Sequence, residues 1–213
     1  MSKNDEAKRF GPRFSEQDVE IVSKTPKYKG FFELVELKLR HKLFAGGWSK
    51  EFTRELFVRR PAVVVLPYDP VTDQVVIQEQ FRIGALLDKR SPWLIELVAG
   101  MVEPGETPED VAHREAWEEA GCKIKALELI SEYWVSPGGT DELISVYCAW
   151  VDASGLGGIH GLPQENEDIR AEVISADTAI NALEDGTINN AASIIALRWL
   201  QMNRTRIQEL WQG

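Results

Sequence analysis

Glu115, Glu118 and Glu119 sit three and four residues apart, so on a helix their carboxylates share one face. Like charges this close are unfavourable on an isolated helix. They become useful when a hard divalent cation sits among them. Mg²⁺ takes oxygen ligands and keeps waters or substrate phosphates as the rest of its shell. Arg114 adds a fixed positive charge that can orient one carboxylate. The competing reading is a solvated acidic helix face, and the flanking residues count against it. Thr107-Pro108-Glu109-Asp110 reads as a helix start, with a capping hydroxyl, a proline suited to the first turn and two acids where the helix dipole favours them. Gly121 fits the left-handed position just past the helix end. The helix between them would run about three and a half turns.

The whole stretch reads Gly100-x5-Glu106-x7-Arg114-Glu115-x-x-Glu118-Glu119-x-Gly121. Each of these residue types makes up roughly 7% of average usage, so a chance match in such a chain is on the order of one in a million. The pattern resembles the Nudix box, the signature of hydrolases that cleave nucleoside diphosphates linked to another group. Cys122 stands where that family usually carries an aliphatic residue, and it is a small apolar substitute.

At 213 residues the chain suits one large domain or a domain plus a small one, and 44% hydrophobic residues can build a substantial core. The net charge of −10 argues against nucleic acid or an anionic membrane as the main partner. It also implies bound cations for any phosphate-rich substrate. Cys122 and Cys148 lack metal-site spacing and read as reduced core residues. The N-terminal run MSKNDEAKRFGPRF has no apolar core for a signal peptide, and no run reaches ~18 apolar residues, so a cytoplasmic location is expected.

The elements that must hold the acidic helix divide near residue 58. Residues 1–13 are polar and expected to be loose. Residues 14–57 alternate as strands, with Val19-Glu-Ile-Val, Phe32–Leu39 and a segment around Glu51–Phe57, and Ala45-Gly46-Gly47 marks a turn. Such a small sheet holds little core alone and needs a neighbour, either the second domain or a partner subunit. From 58 to 213 the pattern changes. Ala62–Leu66 and Gln74–Gln80 flank a turn at Tyr68–Asp73, and Trp93–Val98 leads into the acidic stretch. Strands follow around Leu127–Val135, Leu143–Val151 and Ile169–Ile174, then helices Ala176–Glu184 and from Ala191 onward. Strands on both sides of a central helix predict an α/β protein, an α/β/α sandwich with a mixed sheet, preceded by a small N-terminal antiparallel β-sheet domain. That is also the fold the Nudix resemblance implies.

Three further segments bear on chemistry. Ser136-Pro-Gly-Gly-Thr-Asp-Glu142 is either an ordinary Gly-rich hairpin or a place where backbone approaches a ligand. Pro137 lies sixteen residues past Gly121, a spacing that resembles the ADP-ribose pyrophosphatase branch of the family. Gly155–Asp168 puts four glycines ahead of Glu165, Glu167 and Asp168, as a long mobile loop delivering an acid would. Glu165 is the candidate general base there, with His160 as the competitor. His41 and His113 read as surface residues. Upstream, Arg54, Arg59 and Arg82 fall near strand ends and can fork onto phosphates, and Phe31 and Phe32 can stack on an adenine or simply join the core.

From about Gln17 to Trp199 the chain is similar to the bacterial ADP-ribose pyrophosphatases of the enterobacterial type. The matching stretches include Tyr28-Lys-Gly-Phe-Phe, Arg54-Glu-Leu-Phe, Val98-Ala-Gly-Met, Ser136-Pro-Gly-Gly-Thr, Gly158-Ile-His-Gly-Leu and Glu165-Asn-Glu-Asp-Ile-Arg. The resemblance implies that the Ala99 carbonyl, Glu115, Glu119 and, when the loop closes, Glu167 hold Mg²⁺, with Mn²⁺ as a substitute, that Glu118 shares a metal, and that Glu165 is the base. It further implies adenosine diphosphate contacts from Phe31, Phe32, Arg54 and Glu55, the two phenylalanines coming from the other subunit of a domain-swapped homodimer. Arg59, Arg82, Met101, Ser136, Gly138 and Glu142 would line the diphosphate and terminal ribose. The activity implied is Mg²⁺-dependent hydrolysis of ADP-ribose to AMP and ribose 5-phosphate. The alternatives are a Nudix enzyme for another nucleotide sugar, such as GDP-mannose or ADP-glucose, and a non-catalytic nucleotide-sensing module. The intact glutamates argue against the last, as does the absence of a basic patch.

Overall fold

A computed structural model describes residues 11–212, apart from the side chains of Glu165 and Gln212. Most of the segment expected to be loose, 1–13, therefore lies outside the described residues. The chain forms two compact units. One runs to Arg59 and adds Val135–Glu142; the other comprises Arg60–Trp134 and the chain from Leu143 onward.

The smaller unit is an antiparallel sheet of three strands in sequence order, β1 (Val19–Lys29), β2 (Glu33–His41) and β3 (Phe52–Val58). Its alternating pattern does not translate into a two-faced strand at β1, where every residue is exposed. Val35 is the one fully buried apolar residue among its described residues. Arg59 adds local order by stacking its guanidinium 4.4 Å from the Phe32 ring centroid, while Phe32 meets Phe57 edge-on at 5.0 Å. Val135–Glu142 groups here because it pairs with the end of β3. The Phe57 N–H donates to the Gly139 carbonyl at 2.9 Å, and the Arg59 N–H donates to Asp141 Oδ1 at 2.7 Å.

The larger unit is built on a mixed eight-stranded sheet. β4 (Ala62–Asp69), β5 (Gln74–Phe81), β8 (Ala126–Trp134), β9 (Leu143–Trp150), β10 (Gly158–His160) and β11 (Ile169–Ser175) run in the order β10-β11-β5-β4-β9-β8. β4 and β9 pair in parallel, the other pairs antiparallel. The segment leading into the acidic stretch breaks at Leu97 into two strands with different neighbours. β6 (Trp93–Glu96) pairs with β5, and β7 (Val98–Met101) pairs with β4. The expected long loop at Gly155–Asp168 is partly ordered by pairing, since β10 lies within it against β11.

Period-two alternation gives the central strands two apolar faces. Val63, Val65, Val76, Tyr147 and Ala149 pack with Val111, Ala112, Ala116 and Ala120 of helix α1 (Pro108–Ala120). The intervening Val64, Leu66, Tyr68, Val75, Ile77, Val146 and Cys148 pack with helices α2 (Ala176–Glu184) and α3 (Ala191–Gln212), through Ala176, Ala179, Ala196, Leu197, Leu200 and Ile207. This is the expected sandwich. Truncating a fully buried residue such as Leu66 or Leu197 to alanine costs about 2–5 kcal/mol at such sites. Cys122 and Cys148 are buried free thiols. Among the described residues no helix is long and apolar enough to cross a membrane.

Candidate active site

Helix α1 is fixed at both ends by local chemistry. Thr107 Oγ1 accepts from the Asp110 N–H at 3.2 Å and Asp110 Oδ2 accepts from the Thr107 N–H at 3.0 Å, a reciprocal cap worth about 1 kcal/mol. Gly121 terminates the helix at φ 64°, in the left-handed region glycine favours. The buried face carries Val111, Ala112, Ala116 and Ala120, and the same rotation turns Glu115, Glu118 and Glu119 toward one side.

Arg114 organises the acids. Its guanidinium donates to Glu106 Oε1 and Oε2 at 2.9 and 3.0 Å, to Glu115 Oε1 at 2.7 Å and to Glu118 Oε2 at 3.3 Å. The bond to Glu106 and the neighbouring negative charges hold its pKa well above the usual value. Glu106 closes the preceding loop as well, accepting from the Glu103 N–H at 3.0 Å. Sequence reading placed Arg114 beside one carboxylate; the fold gives it three.

Glu115 and Glu119 lie deepest. Burial pushes the Glu115 carboxyl up to about 7, the Arg114 contact opposes this, and the negative charges of Glu118 and Glu167 add to it. Burial pushes Glu119, only 2% exposed, up to about 8, against the Ala99 N–H and Gln78 amide that favour its ionised form, with Glu115 and Glu167 again adding to the rise. Both Ala99 and Gln78 donate to Glu119 Oε2 at 3.0 Å. The carboxylates of Glu115, Glu118, Glu119 and Glu167 thus share one electrostatic neighbourhood beside the backbone of β7.

Gly100 in that strand gives Glu115 its room, because a Cβ there would overlap the Glu115 carboxylate. Glu167 is placed in a similar way. Gly161, at φ 99°, leaves no space for a side chain against the Glu167 backbone and Cβ, and the Leu162 N–H donates to Glu167 Oε2 at 3.3 Å. Glu165 ends a single 3₁₀ turn, Pro163–Glu165; its side chain lies outside the described residues. His160 is occupied locally, with Nε2 3.3 Å from the Gly157 carbonyl and its ring against Gly121. His41 and His113 are exposed.

A hard dication suits this donor set. The acids are oxygen ligands, Glu119 is buried and Glu115 half-buried, both with raised pKa values, and Arg114 is the cation bonded to Glu115 and Glu118. Among the described residues no three Asp, Glu, His or Cys side chains converge to hold a metal by themselves.

The other expected contact residues are distributed between the units. Met101 ends β7, its carbonyl 3.4 Å from Arg114 Nη2. Arg82 follows β5 and pairs with Glu96 at 2.6 Å. In the smaller unit Arg59 pairs with Glu142 at 2.7 Å, and Ser136 opens a turn whose Gly138 has open space around it. Phe31 is exposed and meets Phe32 edge-on at 4.7 Å. Arg54 and Glu55 lie inside β3, opposite Leu37 and Glu36 of β2. Arg54 is the third residue of β3, near its start, and its guanidinium lies 4.7 Å from the Phe52 ring centroid. Sequence reading missed Gln78 and Glu96, which approach their partners only through tertiary structure, Gln78 by packing of α1 on the sheet and Glu96 by strand pairing.

A family model described as NUDIX domain matches residues 58–197. The chain belongs to the Nudix family. A crystal structure of an ADP compounds hydrolase superimposes on this Nudix fold with a TM-score of 0.65 at 19% identity, covering 89% of this chain and 98% of that one. The ADP-ribose pyrophosphatase of Escherichia coli (strain K12) is 49% identical over 198 residues, covering 93% of this chain and 95% of the relative. The GDP-mannose pyrophosphatase of Cronobacter sakazakii is 32% identical over 154 residues, covering 70% and 78%. Nudix proteins are typically dependent on divalent metal, in keeping with the acidic face of α1.

Proposed function

We propose that this Nudix protein is an ADP-ribose pyrophosphatase that hydrolyses the diphosphate of ADP-ribose to AMP and ribose 5-phosphate. The observation that carries the reading is the reach of the likeness. The match to the ADP-ribose enzyme of E. coli extends over 93% of this chain at 49% identity. The match to the GDP-mannose enzyme falls to 32% over 70%.

In this proposal the Ala99 carbonyl, Glu115, Glu119 and, when the loop closes, Glu167 hold Mg²⁺, for which Mn²⁺ substitutes, and Glu118 shares a metal. When bound, the cation offsets the diphosphate charge and lowers the pKa of a coordinated water. Arg114 keeps Glu115 and Glu118 turned together, and Ala99 N–H fixes Glu119. Glu165 takes the proton of the attacking water. The water oxygen bonds to the adenosyl phosphorus as the bond from that phosphorus to the bridging oxygen breaks, so the leaving group is ribose 5-phosphate.

Substrate recognition is assigned to Phe31, Phe32, Arg54 and Glu55 for the adenosine diphosphate part, and to Arg59, Arg82, Met101, Ser136, Gly138 and Glu142 for the diphosphate and terminal ribose. The exposure of Phe31 supports a stacking role. Residues 14–57 act as a dimerisation and adenine-contacting domain and 58–213 as the hydrolase domain. A domain-swapped homodimer is supported by the thin core of the three-stranded sheet, where Val35 alone among the described residues is fully buried. The free buried thiols Cys122 and Cys148 suit a cytoplasmic location. The test is phosphate release from ADP-ribose in the presence of alkaline phosphatase. Turnover with Mg²⁺ that stops on chelation supports the proposal; none with any divalent cation refutes it.

A further inference from the structure

We infer that Gln78 is a positioning residue for the hydrolytic site, selecting which oxygen of Glu119 meets the cation; this rests on the metal site proposed above. Gln78 lies on β5 between Glu96 of β6 and Ala171 of β11, 41 residues before Glu119. It is 1% exposed. Its Nε2 donates to Glu119 Oε2 at 3.0 Å and lies 3.5 Å from the Glu119 carbonyl. Both neighbours at that end are acceptors, so the amide can face them only with its NH₂ group. The Ala99 N–H donates to the same Oε2 at 3.0 Å. Two donors converging on Oε2 fix the carboxylate's rotation and leave Oε1 as the oxygen to meet a cation.

The cost of this arrangement argues that it is kept for use. Gln78 Oε1 is buried without a hydrogen-bond partner among the described residues. An apolar side chain would avoid that cost, and Val76, two residues earlier on the same face, is one. Hydrogen-bonded partners behind a metal-binding carboxylate typically contribute 10–100-fold in metal affinity.

The experiment measures Mn²⁺ affinity of the metal-free full chain by the electron paramagnetic resonance signal of free Mn²⁺. Variants are Gln78→Leu, Gln78→Glu, Glu119→Gln and, as control, Gln80→Leu. Gln80 also has a buried unpartnered Oε1, and its side chain makes no bond to Glu119. Gln78→Leu and Gln78→Glu should each weaken Mn²⁺ binding by about 10–100-fold, with kcat reduced more than KM for ADP-ribose is changed. Gln80→Leu should bind Mn²⁺ like the wild type. Folded Gln78 variants with wild-type affinity, beside a Glu119→Gln variant that loses it, would overturn the role of Gln78 alone. Wild-type affinity in Glu119→Gln would overturn the metal site itself. Equal losses in Gln80→Leu and Gln78→Leu, or failure of both Gln78 variants to fold, would make Gln78 a packing residue and overturn the inference.

Discussion

The Glu115 carboxylate occupies the space that a Cβ at position 100 would need. Glycine at this point of β7 is therefore a condition for bringing the half-buried Glu115 of α1 against the strand backbone. Gly100→Ala should fold, because α1 keeps its caps and its apolar face, but Glu115 must swing away. A misplacement of about 1 Å near reacting groups can cost on the order of 100-fold. We expect kcat for ADP-ribose to fall at least tenfold, with the far-ultraviolet circular dichroism spectrum unchanged. Near-wild-type turnover would show that Glu115 has no need of its present position.

The legibility of this site in the sequence followed the range of the interactions. Thr107, Pro108 and Gly121 announced both ends of α1 because caps act within a few residues. The apolar runs announced most strands and the sandwich, because burial on one or two faces leaves a period of two. The break at Leu97 left no local signal, since β6 and β7 differ in which strand each pairs with. The grouping of Val135–Glu142 with the smaller unit rests on the pairing of Thr140 with Phe57, far earlier in the chain. Gln78 beneath Glu119 and Glu96 beside Arg82 were hidden for the same reason. Within Gly155–Asp168 the glycines suggested an open loop, yet Gly158–His160 has a free edge of β11 to pair with.

Glu115→Gln and Glu119→Gln should each lower kcat by at least about 100-fold, because each removes a proposed ligand whose loss misplaces the ion. Folding should survive, as a neutral amide relieves the charge crowding on α1. Thermal melting and saturating-Mg²⁺ kinetics check both halves. Turnover close to wild type in either variant means the ligand set is wrong.

Metal-free protein should lose stability as pH rises from about 5 to about 8. Glu115 and Glu119 have folded pKa values near 7 and 8, above the unfolded value of 4.5, both chiefly from burial. Across that window the folded state binds more protons than the unfolded one, so the slope of unfolding free energy with pH is negative. The stabilisation is fully present below about 4.5 and gone above about 8. Adding Mg²⁺ at pH 8 should raise the melting temperature again. A melting temperature that climbs between pH 5 and 8 without metal would contradict the buried, coupled acids.

Glu165→Gln should remove most turnover, ~10²–10⁴-fold, with little change in KM, as expected for a general base. Glu167 lies two residues on, and its charge is felt by Glu115 and Glu119. Glu167→Gln should act through metal occupancy instead, and extra Mg²⁺ should partly rescue it. Retention of more than about a tenth of wild-type kcat in Glu165→Gln would pass the role to His160 or Glu118.

The most direct measurement is kcat/KM for ADP-ribose, GDP-mannose, ADP-glucose and NAD⁺ on the full chain with saturating Mg²⁺. The proposed function predicts that ADP-ribose leads the panel, with AMP and ribose 5-phosphate as products. A guanosine sugar ahead of ADP-ribose by about tenfold, a transition-state difference of roughly 1.4 kcal/mol, would contradict it and assign the chain to another nucleotide sugar.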